Sequence, residues 1–169
     1  MAEETPVVVP SPDPLPILPQ TKEEELAQLV LEFQTRYNAT FNFIIDFKPA
    51  SYMNSGPTTT VVGVCEVYSD GSKKIFMNQD WWPTTNSLMK KVLTFHELGH
   101  CYFNRSHDNR TFPTTRPYSI MYPYIDPVAY YFLAFEEYYL NEMENSTALS
   151  IPSYPITFKT NADGTCFDE

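Results

Sequence analysis

Apolar residues recur along this chain with two different periods, and the changes of period mark out its elements. Leu26, Leu29, Val30 and Phe33 return every three to four positions, the spacing of one helix face, and predict a helix over residues 22–37. Ahead of it, Thr21-Lys22-Glu23-Glu24 is a capping-box pattern, with Thr21 as N-cap and Glu24 reaching back to it. From Phe41 to Phe47 the period drops to two, which predicts a strand. Pro49, Gly56 and Pro57 make residues 48–60 a loop. Val61 to Tyr68 and Lys74 to Asn78 are rich in β-formers and flank the turn signal Asp70-Gly71, so they predict a hairpin. Helical spacing returns over residues 86–104, after Pro83 and Thr84-Thr85-Asn86. Asp126-Pro127 opens a last helix, with proline in the first helical position, that runs to about residue 143. Its Val128, Tyr131, Phe132, Phe135, Tyr138 and Tyr139 predict an aromatic core face.

These elements, in 169 residues, predict one α+β domain with room for its own core. Six prolines fall in the first twenty residues, a stretch that reads as an extended tail over 1–20. The folded part is expected over 21–145, and the polar, proline-containing residues 146–169 as a C-terminal tail. The net charge of −10 comes without any basic cluster, which argues against nucleic acid and anionic membrane surfaces as partners. No apolar run is long enough to span a bilayer. The N-terminus shows neither the basic start nor the apolar stretch of a signal peptide, so no compartment is assigned. Cys65, Cys101 and Cys166 allow at most one internal pair and leave one thiol over. Trp81-Trp82 either lines a cleft or anchors the loop before the helix over 86–104.

The candidate chemistry sits in that helix. All three histidines of the chain lie close together, at His96, His100 and His107. Imidazole is the commonest neutral metal ligand. His96 and His100 are one helical turn apart, so they share a face and can bind one ion together. Glu97 follows the first histidine, where a metalloprotease keeps its general base. The third ligand is open at this level. His107 leads, Asp108 is its neighbour, Glu136 or Glu137 would come from the last helix, and Cys65 would come from the first hairpin strand.

His96-Glu97-Leu98-Gly99-His100, followed by His107 and then Ser119-Ile120-Met121-Tyr122-Pro123, resembles the metzincin clan of zinc peptidases. The likeness covers residues 96–123 in motif and about 21–143 in order of elements. It departs from the clan at one place. The clan has glycine three residues after the second histidine; here that position is Phe103, Asn104 follows it, and His107 is three beyond Asn104. Asparagine is the next-best residue after glycine for a left-handed helix end, so Asn104 is expected to turn His107 back toward the metal.

The resemblance implies a small domain, a twisted mixed sheet over an active-site helix with a C-terminal backing helix. It implies one catalytic Zn2+ held by His96, His100 and His107, and a zinc-bound water whose proton Glu97 takes and passes to the leaving amine. Met121 would floor the imidazoles, and Tyr122 or Tyr124 would donate to the oxyanion. The implied activity is a zinc metalloendopeptidase acting on peptide or protein substrates, with the strand Lys73 to Asn78 as the cleft-lining edge. A carboxylate or thiolate third ligand would instead make it a gluzincin- or deformylase-like hydrolase. A site without turnover would be a zinc-stabilised binding module. Either chain end could occupy the cleft, with Cys166, Asp168 or Glu169 reaching the metal. The oligomeric state stays open, and a monomer is compatible with everything above.

Overall fold

The computed structural model describes residue 19, residues 21–53 and 60–145, and the backbone of residues 156–161 and 166–168. The expected proline-rich tail, Pro19 apart, lies outside the described residues. Helix α1 (Lys22–Tyr37) leads into strand β1 (Ile44–Lys48) and the single turn α2 (Ala50–Met53). The hairpin β2 (Val61–Val67) and β3 (Lys73–Asn78) precedes α3 (Ser87–Cys101) and α4 (Ile125–Asn145). Strands β4 (Ile156–Asn161) and β5 (Cys166–Asp168) complete an α+β fold. The sheet runs β1-β3-β2-β4-β5, with β1 parallel to β3 and the other pairs antiparallel, so it is mixed.

Local signals account for most boundaries. The α1 capping box is formed in both directions, each bond at 3.1 Å, and Asn38 ends the helix in the left-handed region at φ 47°. Asn86 caps α3 by accepting from the Met89 amide. Helix α4 is broken at Phe135, whose φ of −134° and ψ of 25° lie outside the helical region. Tyr139 and Phe132 of the expected aromatic face are buried, whereas Phe135 is exposed beside the Arg116 guanidinium, 4.1 Å away.

Two expectations change. Strand β3 is not an edge: β1 lies on one side of it and β2 on the other. Within residues 146–169, expected as a tail, β4 pairs along the free edge of β2. The reason lies in β2, where five consecutive residues, Val61 to Cys65, are buried. A strand buried on both faces carries backbone groups that water cannot reach, and a partner strand satisfies them.

One face of the sheet, through Val62, Cys65, Ile75 and Met77, shares a core with Leu93, Phe95 and Leu98 of α3. Met53 of α2 covers Val61, Val64 and Phe76 on the other face. Phe33 of α1 packs edge-on to Phe95 at 5.3 Å, and α4 closes the remaining side of α3. Helix α3 is therefore enclosed, and every residue from Val92 to Cys101 is buried. A disulfide joins Cys65 to Cys101 and ties the end of α3 to β2. Trp82 resolves as an anchor: it is fully buried against Phe47 and its indole N–H donates to Glu25 of α1 at 2.8 Å. No described helix is long and apolar enough to cross a membrane.

Candidate metal centre

Enclosure of α3 buries polar groups that must be held by something. His96 and His100 have no solvent exposure. The Nδ1 of His96 lies 2.9 Å from the Ile120 carbonyl, and the Nδ1 of His100 lies 2.6 Å from the Arg105 carbonyl. A carbonyl only accepts, so each Nδ1 carries the proton and each Nε2 presents a lone pair. The two Nε2 atoms face each other at 3.0 Å. His107 joins them from the loop after α3, and the ligand atoms of all three histidines lie within 4.8 Å of one another. These three side chains could hold a metal ion.

Burial keeps the imidazoles neutral. It pushes His96 down to about 3, with His107 nearby adding to the effect, and His107 down to about 4. His100 is pushed well below its ordinary value by burial and then by its two histidine neighbours. Neutral imidazole is the form that donates a lone pair to a metal.

The loop that delivers His107 is built as the spacing suggested. Asn104 has φ 53°, in the left-handed region, and the Arg105 amide then donates back to the Gly99 carbonyl at 3.0 Å. The Lys73 ammonium donates to the Cys101 carbonyl and to Asn104 Oδ1, at 2.6 and 2.5 Å, and caps the helix end. The Asp108 amide donates to the Met121 carbonyl at 2.9 Å, which ties the His107 loop to the Met121 turn.

Two glycines allow close approaches at the site. A Cβ on Gly63 of β2 would lie 2.6 Å from Glu97 Oε1. The Glu97 carboxylate, with no exposure, is therefore pressed against bare strand backbone. A Cβ on Gly99 would lie 2.4 Å from the sulfur of Met121. Met121 is thus packed onto α3 one residue before His100, fully buried.

Below the histidines lies a polar network that the sequence did not announce. The Arg105 guanidinium, 3 % exposed, donates to the Met143 carbonyl at 2.9 Å and to Glu142 Oε1 at 2.8 Å. Ser119 Oγ donates to Glu142 Oε2 at 2.6 Å and accepts from the Met121 amide at 3.0 Å. Arg105 thereby links the carbonyl that orients His100, the turn that carries Met121 and the end of α4. Nothing in a lone arginine between two ligand positions marks it as buried; its partners are remote in sequence.

The other candidates for a third ligand lie elsewhere. The Asp108 carboxylate is taken by Arg110, at 2.8 and 2.5 Å, which also holds its pKa below the usual range. Glu136 bonds Lys91 at 2.6 Å, and Glu137 bonds Arg36 at 2.9 Å. Cys65 is in the disulfide and offers no thiolate. Tyr122 is half-buried and Tyr124 is 43 % exposed, their rings 5.8 Å apart. The side chains of Cys166 and Asp168, and all of Glu169, fall outside the described residues. No family model, no curated protein and no solved structure matches this chain.

Proposed function

We propose that this chain is a zinc-dependent peptidase of metzincin type that hydrolyses peptide bonds at the His96, His100 and His107 cluster. The observation that carries the reading is the convergence of three neutral imidazoles, with the buried Glu97 one residue after the first of them on the same helix. Ligands about 2.0–2.1 Å from a tetrahedral zinc are roughly 3.3 Å apart, and the 3.0 Å between the two Nε2 atoms is close to that. Three imidazole nitrogens suit zinc and not the oxygen-seeking calcium or magnesium, and being neutral they leave the ion its full charge. Bound there, zinc supplies Lewis acidity, lowering the pKa of water and polarising a carbonyl. Glu97 is the base: its carboxylate removes a proton from the attacking water and returns it to the departing amine. Gly63 leaves that carboxylate its place against β2.

Zinc content by elemental analysis and hydrolysis of a peptide library test this together. Wild type is expected to hold one zinc per chain. Glu97→Gln is expected to keep the zinc and lose roughly a hundredfold or more in turnover. His107→Ala is expected to lose most of the metal. Undiminished hydrolysis by Glu97→Gln, or no zinc in wild type after reconstitution, would sink the proposal.

A second reading has one observation behind it. His96, Glu97 and His100 have no exposure at all, as in a closed structural metal site. A zinc-stabilised binding module would hold zinc in both wild type and Glu97→Gln and hydrolyse nothing in either.

A further inference from the structure

Lys73 is a half-buried cation whose partners in the protein are neutral. Its ammonium donates to the Cys101 carbonyl and to Asn104 Oδ1, and among the described residues it forms no ion pair. An ammonium has three donors, so one is left over. Burial pushes the Lys73 pKa below the ordinary lysine value, and no carboxylate acts in the other direction. A charge withdrawn from water in this way is stabilised by an opposite charge. The neighbouring lysine is placed differently. Lys74 stands opposite Glu66 in the β2–β3 ladder and lies over the Tyr68 ring, 4.9 Å from its centre.

Lys73 also lines a cleft of about 490 Å³ between the residues leading into β1, the β2–β3 turn and the end of α3. Small-molecule sites are commonly about 300–1,000 Å³, largely apolar, with a few polar groups that fix orientation. The apolar side of this cleft is aromatic. Phe41 and Phe43 stack at 4.3 Å, and the Tyr102 ring lies 5.7 Å from that of Phe41. Asn42 and Ser72 add polar groups. In a chain of net charge −10, the charged side chains lining the cleft are Lys73 and Lys74, with no carboxylate among the described residues. The chain as a whole repels a polyanion, whereas a single carboxylate meets the local positive charge.

We infer that this cleft binds a small monocarboxylate with a planar apolar body, the carboxylate on the Lys73 ammonium and the body against Phe41, Phe43 and Tyr102. The carboxylate takes the donor that Lys73 has left over and supplies the missing counter-charge. The rings hold the body by offset or edge-on contact. The cleft shares no side chain with the cluster of His96, His100 and His107, so the inference stands or falls apart from the peptidase reading.

The test uses the full chain, titrated by calorimetry with indole-3-acetate as the probe. Indole-3-acetamide keeps the ring and lacks the charge, and acetate keeps the charge and lacks the ring. Indole-3-acetate is expected to bind once per chain and at least roughly tenfold tighter than either control, as a charge-assisted hydrogen bond and an aromatic contact together imply. Lys73→Met should bring indole-3-acetate down to the level of the amide. Phe43→Ala should weaken acid and amide alike, by roughly threefold or more. Lys73 also closes the end of α3, so circular dichroism checks that Lys73→Met is folded. If it is not, the comparison of acid with amide in wild type and in Phe43→Ala decides. Equal affinity for acid and amide, no saturable binding of the acid below about 10 mM, or undiminished binding by a folded Lys73→Met would overturn the inference and leave Lys73 as the cap of α3 alone.

Discussion

On the outer face of the helical layer, Arg36 pairs with Glu137, and Lys91 reaches both Glu32 and Glu136. Under the histidines, Arg105 pairs with Glu142. Both regions join α4 to earlier parts of the chain through arginine–carboxylate bonds of similar length, 2.9 Å for Arg36 and 2.8 Å for Arg105. They differ in water. The Glu137 side chain is 73 % exposed and that of Glu142 is 10 % exposed. An exposed pair is screened and contributes little, whereas breaking a buried one strands a charge that water cannot reach. Charge pairing alone therefore does not identify the carboxylates that matter here; enclosure does.

The largest effect should come from the buried side of this comparison. Glu142→Ala leaves the Arg105 guanidinium without its ion partner and is expected to cost roughly 3–5 kcal/mol in denaturant unfolding. It should also lower zinc retention, because Arg105 carries the carbonyl that orients His100. A small loss with full zinc would erase the distinction drawn between the two regions. Acid sharpens it next. In metal-stripped protein the three histidines have folded pKa values below their unfolded value of about 6.5. The unfolded chain then binds more protons, so stability is complete above about pH 6.5 and falls as pH drops toward 4 and 3, by roughly 1 kcal/mol per pH unit for each histidine. Urea midpoints across that window check it, and zinc should protect against the loss because protons and metal compete for the same nitrogens. The smallest effect belongs to the outer face. Glu137→Ala is expected to change stability by less than about 1 kcal/mol and zinc content not at all.

The same contrast explains which parts could be read from the sequence. The α1 capping box, the β2–β3 hairpin and the start of α3 are written in neighbouring residues, and the structure forms them within a residue or two of the expected places. The left-handed turn at Asn104 was legible because few residues tolerate it. What stayed hidden is non-local. Arg105 and Glu142 look like surface charges until the chain brings them together. Gly63 sits in a strand, and a strand glycine marks a close approach without naming what approaches. The strand at Ile156–Asn161 alternates as a strand should, but flanking prolines and polar residues made it read as tail. The pairing of Cys65 with Cys101 needed the β2–α3 contact and could not come from spacing.

The place of β4 in the chain also sets an order of synthesis. The three histidines, Glu97, the Met121 turn and the last turn of α4 have all been translated before residue 156 is added. Thr160 must then find Gly63, far back along the chain. Contacts of such separation form late, and chains emerging from the ribosome fold from the N-terminus onward. The histidine cluster and the strand that extends the sheet are thus made at different times, and the edge of β2 has no β4 partner until residues 156–161 have been added.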